Sequence, residues 1–138
     1  MKKQLIALLG LGLLVATTSA YAQTLKVKAN VPFNFIVGKT NLPAGQYTIQ
    51  SLDTSGKTLY IRDSNGPSKT MVNSHRCESR KTSEKSKLVF HRYGDRYFLA
   101  QIWTAGNGSG SELPPSARET EVAMDFSMQE VVLLAALQ

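Results

Sequence analysis

The chain has 138 residues, with 16 Lys and Arg against 10 Asp and Glu, a formal net charge of +6. This length suits one domain with a modest core, and the mild basic excess favours anionic surfaces without selecting one partner. The single cysteine, Cys77, excludes an intrachain disulfide, so packing alone must hold the core together. We expect Cys77 to be either buried and inert or joined to a second chain by an intermolecular disulfide.

The N-terminal segment has the order of a secretory signal peptide. Lys2 and Lys3 precede an apolar run, and small residues follow it up to Ala22. This order predicts a Sec-type signal peptide over residues 1–22. A membrane anchor is the alternative, but the run has about a dozen residues and a spanning helix needs roughly 20. No cysteine follows the run for lipid attachment, and there is no twin arginine.

Cleavage before Gln23 leaves residues 23–138, which we expect to fold as a single soluble β domain. Without Lys2 and Lys3 it carries 14 basic and 10 acidic residues, a net charge of about +4. The predicted location of the mature domain is periplasmic or extracellular, because the signal peptide is read by the Sec export machinery.

Short strands fill the first half of this domain. Apolar and polar residues alternate from Leu25 to Val31 and again from Phe33 to Val37, the spacing of a half-buried strand. Pro32 between them marks an edge or a break, and residues 38–45 predict a turn. The other strands predicted in this half span residues 46–52, 58–62 and 68–74.

Residues 75–87 are polar and charged, and their composition predicts a long, mobile hairpin end. Residues 88–93 and 96–103 predict the clearest hairpin of the chain, joined by Gly94-Asp95. Residues 105–115, rich in glycine and serine, predict a loop.

A short helix is predicted over residues 117–123. Ser116 is its N-cap, and Glu119 three residues later completes the pattern of a capping box. The continuously apolar segment 130–137 is compatible with strand or helix. We predict a strand, because a buried closing strand would pair with an open sheet edge of an all-β chain.

These elements predict an all-β fold, a small antiparallel barrel or a curved sandwich of about seven or eight short strands with one short helix in the C-terminal half. The expected core consists of Leu25, Val27, Phe33, Phe35, Ile49, Leu59, Ile61, Val72, Leu88, Phe90, Leu99, Val131 and Leu133.

Two segments together resemble the opening of a family of small secreted proteins that is common among Acidobacteria. They are Val31-Pro32-Phe33-Asn34-Phe35-Ile36-Val37-Gly38 and Leu42-Pro43-Ala44-Gly45-Gln46-Tyr47. Residues 110–121 and 130–136 resemble the later part of the same family. The motifs are structural in kind, a turn, a helix start and core aromatics. The resemblance implies export and a β-rich fold, and it implies no catalytic residues because the family has no assigned activity.

A catalytic or metal site has three candidate residues, His75, Cys77 and His91. His75 and Cys77 share one side of an extended segment, so a Cys–His nucleophile pair is geometrically possible. The three side chains could also ligate a metal, but structural zinc sites use four ligands with close paired spacing. We predict no catalytic residue, no metal and no cofactor. The two histidines are expected to be solvated side chains on a basic surface.

A basic cluster is the candidate anion-binding surface. A concentrated positive patch attracts phosphate or carboxylate polymers with a salt-dependent affinity, so lipopolysaccharide, an anionic cell-wall polymer or extracellular nucleic acid are candidate ligands. The alternative is a solvated loop, which Glu78 and Glu84 partly neutralise. The cluster consists of Arg76, Arg80, Lys81, Lys85 and Lys87.

Three aromatic residues, Tyr93, Tyr97 and Trp103, are candidates for a ligand groove, since Tyr and Trp combine apolar area with a polar group. Tyr97 and Trp103 are expected on one face of their strand. Core or cross-strand packing is the alternative explanation for all three.

Three functional hypotheses follow, and the first is preferred. It is a non-enzymatic, exported binding or envelope-associated interaction module, with an anionic envelope polymer or another protein as partner. The second is a hydrolase-type enzyme that uses His75, Cys77 and His91. The third is a small-ligand carrier that uses the interior of a barrel.

Overall fold

The computed structural model describes residues 25–53, 55 and 57–137, so the signal peptide predicted over residues 1–22 lies outside the described residues. Two β-sheets share one core, and neither sheet closes into a barrel. Of the two predicted all-β forms, the sandwich is therefore the one observed. No helix in the described part of the chain is long and apolar enough to cross a membrane.

Twelve strands and one helix are present among the described residues. In chain order they are β1 (Lys26–Val31), β2 (Phe35–Val37), β3 (Thr40–Leu42), β4 (Gly45–Ser51), β5 (Thr58–Asp63), β6 (Lys69–Asn73), β7 (His75–Glu78), β8 (Lys87–Tyr93), β9 (Arg96–Trp103), β10 (Ser109–Glu112), α1 (Ala117–Ala123), β11 (Met128–Leu134) and β12 (Ala136–Leu137).

The five-stranded sheet has the order β12-β1-β4-β5-β6, and the seven-stranded sheet has the order β11-β8-β9-β10-β7 with β2 and β3 attached to β9. Every described ladder is antiparallel except the contact of β2 with β9 at Ile36 and Phe98. The clearest predicted hairpin is confirmed as β8 and β9, which turn at Gly94 with a φ of 63°.

Period-two alternation builds the shared core. Val27 lies opposite Ile49, and Ile49 lies opposite Ile61, so one apolar row crosses the five-stranded sheet. Every residue of the predicted core belongs to the buried cluster or packs against it. The partly buried members are Leu25, Phe33, Val72, Val131 and Leu133.

The two opening motifs contact each other around a buried tyrosine. The Tyr47 hydroxyl donates to the carbonyl of Pro43 at 2.6 Å, and the Asn34 side chain accepts from the amide of Ala44 at 3.0 Å. The Phe35 ring packs edge-on against Tyr47, with ring centroids 5.0 Å apart. These residues therefore fix the chain path between β2 and β4.

More strands are present than predicted, because three segments without alternation are paired through their backbones. Residues 38–45, predicted as a turn, contain β3, and residues 105–115, predicted as a loop, contain β10. β10 pairs with β9 on one side and with β7 on the other. Segment 75–87 is therefore not a free hairpin end throughout, because its first residues form β7, which is paired in the sheet.

The C-terminal segment is confirmed as strand. β11 pairs with β8 in the seven-stranded sheet, and β12 pairs with β1 in the other sheet. The chain changes sheets at Ala135, whose amide donates to the carbonyl of Ser86 at 2.8 Å. This crossing joins the two sheets at one edge of the sandwich.

Candidate functional site

The outer face of the seven-stranded sheet carries two cross-strand rows of side chains. One row consists of Val132, Val89, Gln101, Glu112 and His75, and the next consists of Leu134, Lys87, Trp103, Gly110 and Cys77. These positions alternate with core residues such as Leu88 and Ile102. The outer face thus combines an indole, an amide and charged groups.

A cleft of about 340 Å³ lies on this face, at the lower end of the usual size of ligand sites. The strands below the cleft form its floor with Val89, Gln101 and Trp103. The segment that precedes β8 forms a wall. The lining consists of Ser79, Lys81, Thr82, Ser83, Glu84, Lys87, Val89, Gln101, Trp103 and Glu130.

Backbone hydrogen bonds hold the wall segment against the loop that precedes β10. The Ser79 amide donates to the carbonyl of Gly108 at 2.9 Å, and the Gly106 amide donates to the carbonyl of Ser83 at 2.8 Å. The Ser86 hydroxyl also accepts from the amide of Ala105 at 2.9 Å. The segment predicted as a mobile hairpin end is therefore fastened at several points.

The floor of the cleft is fixed by Trp103. Its Nε1 donates to the Gln101 side-chain oxygen at 3.0 Å, and its ring lies over Gly110. Only a glycine fits at this position, because a Cβ atom on Gly110 would lie 2.7 Å from Cε3 of the indole. The two lysines of the lining are balanced by two glutamates, so the cleft offers donors and acceptors without a net charge.

The predicted basic cluster is divided by the fold. Lys81 and Lys87 line the cleft, whereas Arg76 donates to the Ser109 hydroxyl at 2.7 Å and lies 3.9 Å from the carboxylate of Glu78. The other two members, Arg80 and Lys85, are exposed. The five residues therefore do not share one site.

The predicted aromatic groove is not formed. The Tyr93 hydroxyl donates to Glu119, Tyr97 stacks on Phe33 with ring centroids 3.8 Å apart, and Trp103 lines the cleft. A β-bulge is the reason that Tyr97 and Trp103 do not share a face. Phe90 pairs with Leu99 and Val89 with Gln101, which leaves one unpaired residue and inverts the alternation between them.

His75, Cys77 and His91 are not brought together. β7, which carries the first two, is three strand positions from β8 in the sheet order, a separation of roughly 14 Å. Among the described residues, no three His, Cys, Asp or Glu side chains are grouped to hold a metal ion. Cys77 is half-buried, and burial, followed by the Glu112 carboxylate, raises the pKa of its thiol.

Sequence reasoning missed a buried carboxylate at the other end of this face. Glu119 is 6 % exposed, and its Oε2 accepts from the Tyr93 hydroxyl at 2.9 Å and lies 3.1 Å from Nδ1 of His91. Ile36, Tyr93, Phe98 and Val122 form a small apolar cluster of their own. The signal was present, since His91 and Tyr93 are two residues apart on a strand and so share a face.

Glu119 therefore has a different role from the one predicted. The Ser116 hydroxyl accepts from the Glu119 amide at 3.1 Å, which confirms the N-cap. The reciprocal half of the capping box is not formed, because the Glu119 carboxylate is bound to the sheet. Burial, followed by the hydrogen bond and charge of Glu119, raises the pKa of Tyr93 to about 12.

Side chains of the core cluster, including Tyr47, Phe90 and Leu42, lie between the sheets. The carrier hypothesis, which requires room for a ligand inside the fold, stays a prediction. The open cleft on the outer face is the better candidate for a binding site.

Comparison with known proteins supplies no relative. No family model matches the chain. No curated protein and no solved structure matches it either. Membership of the Acidobacterial family of small secreted proteins therefore stays a prediction from its opening motifs.

Proposed function

We propose that the domain is an exported, non-enzymatic interaction module that binds a saccharide unit in the cleft on the outer face of the seven-stranded sheet. The observation that carries this proposal is the lining of that cleft, in which an indole and an aliphatic side chain lie among groups that donate and accept hydrogen bonds.

Sugars favour this combination because each hydroxyl both donates and accepts, while the C–H face of the ring is apolar. Glu84 and Glu130 supply acceptors, and Lys81 and Lys87 supply donors. Gln101 adds its amide N–H groups, while its side-chain oxygen accepts from Trp103. The absence of a net charge in this lining favours a neutral sugar over a strongly anionic one.

The predicted signal peptide supports the same function. Export would place the domain beside the glycans of the cell envelope or of the surroundings. A wall segment that backbone hydrogen bonds fasten to the neighbouring loop also loses little conformational entropy when a ligand binds.

The test is a titration of the mature domain with neutral mono- and disaccharides. Binding is measured by changes in amide chemical shifts and by calorimetry. We expect one class of sugar to shift the amides of Gln101, Trp103 and Glu130. Gln101→Ala should weaken binding about tenfold, equivalent to about 1.4 kcal/mol.

Gln129→Ala is the matched control, because Gln129 is exposed on β11 and is not part of the cleft lining. It should leave the affinity unchanged. Saturable binding that is equally strong in Gln101→Ala, or no sugar-dependent shift at the cleft, would contradict the proposal.

A further inference from the structure

The outer face of the five-stranded sheet has an unbalanced positive charge. Residues at its outward positions alternate with the buried Val27, Ile49 and Ile61. The outward positions of β1, β4, β5 and β6 hold four basic side chains and no acidic one. The basic residues are Lys26, Lys28, Arg62 and Lys69.

Register arranges this face in two parallel rows that cross the strands. The first runs through Lys28, Thr48, Arg62 and Lys69, and the second through Lys26, Gln50, Tyr60 and Met71. Adjacent strands are roughly 4.8 Å apart, and the rows are roughly 6.8 Å apart because they are two residues apart along each strand. A basic row thus lies beside a row with an aromatic ring and an amide.

This arrangement opposes stability of the isolated domain. Arg62 lies directly opposite Lys69 in the antiparallel pair of β5 and β6, and like charges in that position repel. Among the described residues, the pairs of opposite ionisable groups are Arg76 with Glu78 and His91 with Glu119, and neither includes a member of this face. An anion from outside the domain would relieve the repulsion.

We propose that the outer face of the five-stranded sheet binds a linear acidic polysaccharide that lies across the strands. Its carboxylates contact Lys28, Arg62 and Lys69, and its sugar rings lie against Tyr60 and the amide of Gln50. This surface is separate from the cleft and from the basic cluster of residues 76–87, so it does not depend on the proposed saccharide site.

The composition of the face favours a polysaccharide over a single-stranded nucleic acid. Single-strand binding surfaces stack successive bases on several aromatic rings. Here Tyr60 is the one aromatic side chain at the outward positions of β1, β4, β5 and β6. Hydroxyl and amide groups fill most other positions, and these suit the hydroxyls of sugars. Thr48 is the exception, because it is buried and its hydroxyl lies 3.1 Å from that of Ser64.

The test measures binding of polygalacturonate to the mature domain at about 20 and 200 mM salt, where screening differs strongly. We expect saturable binding that weakens at the higher salt. The double variant Arg62→Gln/Lys69→Gln should lose at least tenfold in affinity at low salt. Its thermal midpoint should be unchanged or raised, because the repulsion is removed.

Arg80→Gln/Lys85→Gln is the matched control, since it removes the same charge from exposed positions elsewhere. It should retain binding within about twofold. An equal loss in both double variants would show attraction by net charge alone and would overturn the assignment to this face.

Two further arms separate this proposal from its alternatives. Oligothymidine and anionic phospholipid vesicles should bind more weakly than polygalacturonate, and tighter binding of either one through Arg62 and Lys69 would overturn the choice of ligand. Gln101→Ala should keep polygalacturonate binding unchanged, so failure of the cleft and failure of this face are distinguishable.

Discussion

At the scale of single residues, Glu119 joins the helix to the seven-stranded sheet. It is the one charged side chain that is buried among the described residues, and it connects α1 to β8 through His91 and Tyr93. A buried carboxylate is tolerated only where hydrogen bonds replace its lost hydration. The helix is short, so its position on the sheet depends on this anchor and on Val122.

Glu119→Ala should lower the free energy of unfolding by about 1–3 kcal/mol, because the Tyr93 hydroxyl is then left buried without its acceptor. Urea unfolding followed by circular dichroism measures the change. Glu121→Ala, exposed on the same helix, is the control and should stay within about 0.5 kcal/mol of the parent. Equal stability of the two variants would remove the anchoring role.

The raised pKa of Tyr93 predicts an alkaline loss of stability. The unfolded phenol titrates near its ordinary pKa of about 10, whereas the folded one titrates at about 12. The stabilising contribution is therefore complete below pH 10 and is lost as the pH rises through 12. Denaturant unfolding between pH 9 and 12 should show this decline, and Tyr93→Phe should reduce its slope. An unchanged slope in that variant would place the dependence elsewhere.

At the scale of elements, the pairing of β10 with β9 depends on one glycine. Gly110 lies under the Trp103 ring, and a Cβ atom there would also approach the carbonyl oxygen of Ile102 to 2.8 Å. The strand has no large apolar residue of its own, so backbone pairing and this close approach hold it in the sheet.

Gly110→Ala should therefore destabilise the domain by about 1–3 kcal/mol through overpacking. The displaced indole should also change the tryptophan fluorescence. Gly108→Ala, just before β10, is the matched control, since its Cβ would find the nearest atom at 3.9 Å. A Gly110→Ala domain with parental stability and fluorescence would show that Trp103 adjusts freely.

Most strands could be predicted from the sequence where apolar and polar side chains alternate, and few where this pattern is missing. β1, β4, β5 and β8 follow period-two alternation, and β9 follows it on either side of its bulge. These strands were predicted, because alternation records directly which face is buried. β3, β7 and β10 do not alternate in this way, and their pairing partners are distant in sequence. The bulge in the β8–β9 hairpin likewise gives no residue signal, yet it decides which way Trp103 points.

At the scale of the whole molecule, the two sheets are joined by the C-terminal segment. β11 completes one sheet and β12 the edge of the other, so a single short segment stabilises both. Loss of β12 would leave the outer backbone edge of β1 without its partner at Val27 and Lys28.

Removal of residues 136–138 should lower the thermal midpoint by several degrees, the equivalent of about 1–2 kcal/mol for a domain of this size. Removal of Gln138 alone is the control and should leave the midpoint unchanged. Differential scanning calorimetry provides both values. A full truncation with the parental midpoint would mean that β12 adds nothing to the joining of the sheets.

The candidate sites also combine residues that were predicted from sequence with neighbours that only the fold brings together. Lys81, Lys87 and Trp103 were each identified from sequence, but for two different sites, and the fold brings them into one cleft. The basic face of the five-stranded sheet was not predicted, because Lys28, Arg62 and Lys69 come from three strands and become neighbours only through their register.

The sequence by itself determined the all-β class, the core residues, the main hairpin and the N-cap of the helix, because these depend on local alternation and on residues close in the chain. The tertiary structure alone decided the sandwich form, the cleft, the burial of Glu119 and the basic face. Each of these depends on side chains from distant segments, and their proximity follows from strand order and register.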